Sequence, residues 1–431
     1  PGDHSYASAG TYTVVFTATD EHGLADPTPD TRTITVTAGP PPSMTGVVAG
    51  VADVRGAAGS DWHTDLYLHN ASASDVQVDL YFSPAGETIG TPVVRTVAAG
   101  HTESLPDVVG TTFGASGSGA IFWHVSSGDA AALLVSANTY NRLDAVRRYG
   151  QQVPGVSWAE AAPTEDSIWV PALAGPYRTN LGFATDGDCT GVRIRAIDRT
   201  GVIQAERTVD TEPYSWQQLN KLFRRVFRDL IADPDTVAVA DSLHRFEVVG
   251  IDGRVMAYTS IIDNVTSDGS YMLGQLPGSA GATPWLPGAA FVRGVNDSQW
   301  RSDVMVFNLS DGADSAVVTY YPSDTDNGGA LASETIELAA GEGSFQGNIM
   351  RDLFSLRPPA VGSLGVTAAE CLLWMRTYTE EPGEDGFTTY GQAVPPFGLD
   401  DTITVGSEGV VAGFSVDDRT RSNLILQNTV A

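Results

Sequence analysis

The sequence predicts an all-β chain built of tandem antiparallel β-sandwich domains, each with one short helix. Three observations predict it. Apolar residues alternate with polar ones at a period of two, as in Val76, Val78 and Leu80 against Gln77, Asp79 and Tyr81, the pattern of a half-buried strand. Such runs are short, and Gly, Pro, Asp and Ser lie between them. Gly and Pro account for 46 and 24 of the 431 residues, which supplies many turns and favours a sandwich over a parallel α/β sheet. The third is a recurring phrase of domain-sized period.

That phrase opens four segments. It reads Trp62-His63-Thr64-Asp65-Leu66-Tyr67-Leu68-His69-Asn70, then Tyr177-Arg178-Thr179-Asn180-Leu181-Gly182-Phe183. It returns as Trp300-Arg301-Ser302-Asp303-Val304-Met305-Val306-Phe307-Asn308, and as Thr420-Arg421-Ser422-Asn423-Leu424-Ile425-Leu426-Gln427-Asn428. The His/Arg positions are spaced by 115, 123 and 120 residues. Later landmarks keep the same order. A second strand is expected at 76–82, 192–198 and 316–321. A helical stretch follows at 105–113, 215–231 and 348–354. A strand then ends in polar and aromatic residues at 136–141, 258–264 and 375–379. A closing phrase reads Tyr149-Gly150-Gln151-Gln152-Val153-Pro154, Met272-Leu273-Gly274-Gln275-Leu276-Pro277 and Tyr390-Gly391-Gln392-Ala393-Val394-Pro395. The repeats therefore span 47–160, 161–280 and 281–400, with the opening strands of a fourth at 401–431. A Pro-rich linker at 39–46 separates them from an N-terminal segment, 1–38.

The repeat signature carries Trp62, Asp65 and Asn70 in the first unit, and Tyr177 and Asn180 in the second. Trp300, Asp303 and Asn308 carry it in the third, Asn423 and Asn428 in the fourth. Recurrence of Trp62 and Trp300 suggests core packing. Trp123 and Trp374 fall in later strands and read the same way. Trp158, Trp169 and Trp285 lie near the joints, where they would pack one repeat on the next. The Thr/Ser-Asp/Asn pair reads as side chains bonding backbone at a strand start. One helix is well signalled: Ser215 and Gln218 form a capping box, and Leu219, Leu222, Phe223, Val226, Phe227, Leu230 and Ile231 follow a 3.6-residue spacing up to Asp233-Pro234. Its polar face carries Lys221, Arg224, Arg225 and Arg228, the first of these being the single lysine.

Residues 1–38 resemble the C-terminal half of a PKD (polycystic-kidney-disease type) domain. The residues that carry this are His4-Ser5-Tyr6, Gly10-Thr11-Tyr12-Thr13-Val14, Thr17-Ala18-Thr19-Asp20 and Arg32-Thr33-Ile34-Thr35-Val36, with Asp20-Glu21-His22-Gly23 as a turn after a long strand. The resemblance implies an extracellular immunoglobulin-like β-sandwich, used as a spacer or adhesive module. The repeats resemble tandem modules in secreted or surface proteins of high-GC bacteria, which implies location and no particular chemistry. With two or three strands at each end, neither the N-terminal segment nor the fourth repeat closes a sandwich. Completion by strand addition from a neighbouring chain, or membership of a longer polypeptide, would resolve that.

Composition narrows function. With 52 acidic and 24 basic residues the formal charge is −28, which excludes nucleic acid as a partner. No run approaches the ~18 apolar residues of a membrane-spanning helix. Cys189 and Cys371 are too few for a disulfide framework or a zinc cage. Among the seven histidines no H-x-x-x-H or H-E-x-x-H spacing occurs. His63 and His69 share a strand face, yet Arg301 and Phe307 replace them in a sibling repeat, so a structural role is favoured over a metal pair. The run 114–119 fails the spacing of a nucleophile elbow. Calcium is the one cofactor the sequence suggests. Asp324, Asp326 and Asn327 offer hard oxygen ligands, although the same residue types make plain hairpin turns. The expected partners are copies of the chain or adjoining modules, then a glycan or a cell surface. The expected role is a non-enzymatic, extracellular stalk, filament or surface layer of rigid modules joined by Pro-rich seams at 39–42 and Ala162-Pro163. The alternatives are a spacer or substrate-binding region of a secreted hydrolase, and a glycan-binding adhesin.

Overall fold

A computed structural model describes residues 10–36, 41–56, 59–142, 144, 148–278, 283–328, 331–383, 386–398, 401–403, 409 and 424–427. The chain divides into two compact units, Pro1–Ser43 and Met44–Ala431. In the first, β1 (Gly10–Phe16) pairs antiparallel with β2 (Asp30–Val36). Asp20 accepts hydrogen bonds from the backbone of His22 and Leu24 and so closes the expected turn. The break between units falls inside the expected linker, because Met44 is already buried in the core of the first repeat.

The second unit is all-β, its antiparallel sheets set in an open sandwich-like arrangement. The first repeat contains β3 (Gly46–Arg55), β4 (Asp61–Asn70), β5 (Val76–Pro84), β6 (Val93–Val97), β7 (Thr102–Leu105), β8 (Gly117–Ser127), β9 (Leu133–Arg142), β10 (Arg148–Pro154) and β11 (Val156–Ser157). The second contains β12 (Ser167–Ala172), β13 (Tyr177–Thr185), β14 (Gly191–Asp198), β15 (Ile203–Asp210), β16 (Trp216–Leu219), β17 (His244–Ile251), β18 (Val255–Asp263) and β19 (Gly269–Leu273). The third contains β20 (Trp285–Arg293), β21 (Gln299–Asn308), β22 (Asp314–Pro322), β23 (Ala332–Leu338), β24 (Gly343–Gln346), β25 (Ala360–Thr367), β26 (Cys371–Gly383) and β27 (Gly386–Val394).

Strand order repeats three times. One sheet runs β3-β8-β5-β6, β12-β17-β14-β15 and β20-β25-β22-β23; the facing sheet runs β7-β4-β9-β10, β16-β13-β18-β19 and β24-β21-β26-β27. In the outer repeats the first strand belongs to both sheets. It bends at a bulge where Gly50 and Gly288 take φ of +92° and +78°, a conformation that favours glycine. The cores form where the period-two residues meet. Leu66 and Leu68 face Val76, Val78 and Leu80 in the first repeat, and Val304 and Val306 face Ala316 and Val318 in the third.

An equivalent short helical segment recurs in each repeat, at Val108–Thr112, Leu222–Val226 and Ile349–Asp352, beside a separate 3-10 turn. The long helix expected at 215–231 does not form. Trp216–Leu219 is a strand paired with β13, and Ser215 is buried behind it rather than capping a helix. Sheet pairing overrides the 3.6-residue pattern there, because Trp216 and Leu219 have a partner strand and a core to enter. The closing phrase of the second repeat is also five residues out of register. Gly269 pairs with Ile262 as Gly150 pairs with Tyr140 and Gly391 with Tyr378. Gly274 instead matches Gly155, each donating its N–H to the preceding strand, at Ala257 and Val135. The first and second repeats each carry two crowded glycines, and the closing phrase aligns Gly274 with Gly150 where the fold aligns it with Gly155.

The repeats are not beads on flexible seams. Ala162 is buried and exchanges backbone hydrogen bonds with Val255 at 2.9 and 3.2 Å, so the Ala162-Pro163 joint is part of the packed structure. The first core takes in Trp216, Met256, Tyr258 and Tyr271 of the second repeat, together with Trp158. A further core joins Leu173, Tyr177 and Ile261 of the second repeat to Met305, Phe307 and Trp374 of the third. Both joints seat a hairpin turn against an edge strand, with the hydrogen bond running in opposite directions. The β5–β6 turn meets the start of β16 through Gly86 N–H to Trp216 O, 2.8 Å. The β14–β15 turn meets the start of β24 through Gly343 N–H to Arg199 O, 2.7 Å. The closing strands β10, β19 and β27 converge, and Tyr149 stacks on Tyr390 with ring centroids 4.7 Å apart. First and third repeats therefore touch, which a simple string would not allow. No helix among the described residues is long and apolar enough to cross a membrane.

Candidate functional site

The signature residues perform one structural task in every repeat. Thr64, Thr179 and Ser302 accept the backbone N–H of Ala52, Leu173 and Ala290, at 2.8, 3.0 and 2.9 Å. Asp65, Asn180 and Asp303 accept the N–H of Asp107, Lys221 and Asn348, at 2.9, 2.8 and 2.8 Å. Those three donors are left-handed (φ +48°, +56° and +42°) and begin the short helical segments. The bonded backbone thus lies some 40 residues away, not at the strand's own start. Asp303 is buried, 5% exposed, and its pKa is pushed up to about 6 by burial, against the pull of the Asn348 N–H and the Arg376 charge.

Asn70 and Asn308 are fully buried and identically bonded. Asn308 Nδ2 donates to Gly312 O and Ala339 O at 2.7 and 3.0 Å, and Oδ1 accepts from the N–H and hydroxyl of Ser310, both 2.8 Å. Replacing Asn308 by alanine should cost about 1–3 kcal/mol, since a fully buried amide and its four hydrogen bonds are lost. Asn308→Asp should cost at least as much, because a carboxylate would face those carbonyls; urea unfolding measures both.

The tryptophan expectation needs correction. Trp123 and Trp374 are core residues, but Trp62 and Trp300 are only half-buried. Their indoles lie across the hairpin glycines Gly56 and Gly294, outside the sandwich. Tyr177, at the same position, is buried in the joint between repeats and receives a hydrogen bond from Arg376. Asn423 and Asn428 lie outside the described residues, as does most of the expected fourth repeat; residues 424–427 form no strand.

Asp324, Asp326 and Asn327 form the turn between β22 and β23. Asp326 Oδ1 accepts the Gly328 N–H at 3.0 Å, and Asn327 Nδ2 donates to Pro322 O at 3.1 Å, the bonding of an Asx turn. Lys221 starts a short helical turn rather than a long basic face, and Arg224 is paired with Asp235. Cys189 and Cys371 are free thiols.

One cluster brings metal-ligating side chains together among the described residues: Asp53, His63 and Asp107. No family model, curated protein or solved structure matches this chain. The cluster is therefore judged on its geometry. His63 sits on β4 and is 5% exposed. Its Nδ1 lies 3.0 Å from Asp107 Oδ1 and 3.4 Å from Asp53 Oδ1, and its Nε2 lies 3.2 Å from Asp61 Oδ2. Arg142 holds the same Asp61 oxygen through Nε and Nη2, at 3.2 and 2.8 Å. Burial disfavours the imidazolium, but hydrogen bonds to Asp107 and Asp61 outweigh it and raise the His63 pKa. The Arg142 hydrogen bond, followed by that of His63, lowers the Asp61 pKa. His69 is not part of the cluster; its Nδ1 meets the Thr102 hydroxyl at 2.9 Å. The sequence isolates His63 but not its carboxylates, which come from β3, the start of β4 and a helical turn 44 residues away.

Proposed function

We propose that the chain is a non-enzymatic structural protein of the cell exterior, whose repeats build a stiff array. The supporting observation is the arrangement common to both joints, where the hairpin turn of one repeat seats on the edge strand of the next while the cores run across the boundary. Such reuse passes rigidity from one module to the next by the same means each time, as in other repeat architectures. The acidic surface supports an assembly held apart by charge, so lateral association should require added salt or divalent ions. Electron microscopy of native material tests the role. Regular filaments or a surface lattice, dispersed at low ionic strength, are expected. Discrete monomers that bind or cleave polysaccharide would overturn the reading. Within one molecule, Trp216→Ala should cost about 3–5 kcal/mol, because this side chain of the second repeat fills the core of the first. A loss confined to local fluorescence, with unfolding unchanged, would mean the joint carries no rigidity.

A further inference from the structure

We propose that Asp53, His63 and Asp107 form a binding site for a divalent transition-metal ion, with Asp61 as the carboxylate that orients the histidine. One oxygen of each carboxylate and His63 Nδ1 all lie within 4.8 Å of one another. The other ring nitrogen, Nε2, faces Asp61 Oδ2 at 3.2 Å. An imidazole held between an ion and a carboxylate is the usual arrangement of a metal-bound histidine. Here Arg142 fixes that carboxylate from behind.

The sibling repeats supply an internal control. The hydrogen bonds of Ala52, Leu173 and Ala290 align the strands. By that alignment Asp53 corresponds to Ala174 and Phe291, and Asp61 to Pro176 and Gln299. His63 corresponds to Arg178 and Arg301, and Asp107 to Lys221 and Asn348. The fold thus forms twice without any of the four. Both siblings keep the capping bond from Asn180 or Asp303, so the cluster is not the means of starting the helical segment. All four residues occur together in one repeat and are all replaced in the other two. Three carboxylates gather round one buried ring, and Arg142 pairs with Asp61 alone, which leaves Asp53 and Asp107 facing the ring.

The wall of the site is shaped for close approach. A Cβ added to Gly110 would stand 2.5 Å from Asp53 Oδ2, so a side chain there would push the carboxylate away. Two carboxylate oxygens with one imidazole nitrogen suit a borderline ion such as Zn²⁺, Co²⁺ or Mn²⁺, whereas Ca²⁺ prefers oxygen alone. Three protein ligands leave a further position for water.

Co²⁺ and Zn²⁺ titrated into the metal-free, untagged full chain test this. One ion per chain is expected, with visible Co²⁺ absorption and an unfolding temperature that rises with Zn²⁺. His63→Arg, Asp53→Ala and Asp107→Asn each install a sibling's residue, so each should fold. Each should weaken Co²⁺ binding by more than the Asp61→Asn variant does, whose loss should fall in the ~10–100-fold range of second-sphere changes. Circular dichroism confirms folding, and three variants guard against failure of one. Equal Co²⁺ uptake by wild type and the His63→Arg chain would overturn the proposal, as would no uptake by either, or binding of Ca²⁺ in preference to Zn²⁺.

Discussion

Replacing Arg376 by alanine is expected to lower the stability of the Met44–Ala431 unit by about 3–5 kcal/mol, the range for breaking one side of a buried charge arrangement. Arg376 lies on β26 and is 3% exposed. Its Nε donates to Ser270 Oγ at 2.9 Å, Nη1 to the Tyr177 hydroxyl at 3.1 Å and Nη2 to Thr389 Oγ1 at 2.8 Å. Two of those acceptors belong to the second repeat and one to the third. The guanidinium also lies over the rings of Tyr177 and Tyr378, 5.1 and 4.8 Å from their centroids. Thr389 continues the chain of bonds, donating both its N–H and its hydroxyl to Asp263 Oδ2. Removing the guanidinium would strand three acceptors and leave Asp268 and Asp303 without the positive charge that favours their ionised forms. Arg376→Lys keeps the charge but offers no planar fork, so it should recover less than half of the loss. Arg376→Met matches the volume and should not rescue, because the carboxylates remain. Guanidinium unfolding measures all three. A loss below about 1 kcal/mol for the alanine variant would show that the joint does not depend on this residue.

That joint shows where the sequence is legible and where it is not. Period-two alternation placed β5, because burial on one face of a strand imposes it directly, and the repeat landmarks carried that reading to β22. The recurring Asp65, Asn180 and Asp303 marked a structural device, and the device exists in all three repeats. Its partner was invisible, since a left-handed residue 41 to 45 positions away carries no local signal. The helix expected at 215–231 failed for the opposite reason. Its local pattern was strong, but Trp216 had a core to enter in a neighbouring repeat. Arg376 drew no notice, because a single arginine in a strand looks exposed until a second module covers it. The His63 cluster was not legible. Replacement of His63 by Arg301 in a sibling repeat favoured a structural role, and Asp53, Asp61 and Asp107 converge on the ring only when β3, β4 and the helical turn are folded together.

The same joint should make stability fall as pH rises from about 4 to about 7, and Asp268→Asn should abolish most of the part above pH 6. Asp268 is 3% exposed, and its Oδ2 accepts the Gly391 N–H at 2.7 Å across the joint. Burial pushes its pKa up to about 7, the Gly391 bond and the Arg376 charge pull against it, and Asp263 adds to the rise. The charged and titratable groups around it are Asp263, Arg376 and Tyr390, with Arg178 close by through Asp263 O and Ser267 Oγ. In the unfolded chain an aspartate titrates near 3.9. The folded value is the higher one, so the native state holds a proton that the unfolded state has already released. Stability is therefore greatest below about pH 4, falls as pH rises, and stops falling above the folded value near 7. Asp303, raised to about 6, contributes the same sign at lower pH. Above pH 6 the slope belongs mainly to Asp268, with a limit of about 1.4 kcal/mol per pH unit. Asparagine keeps an acceptor for the Gly391 N–H and carries no charge. The repulsion among the remaining carboxylates is common to both proteins and cancels in the difference. Unfolding of wild type and Asp268→Asn from pH 5 to 8 should thus diverge as pH rises, with the variant the more stable at pH 8. Parallel curves would mean that the Asp268 carboxyl is ionised throughout, and that Arg376 compensates it fully.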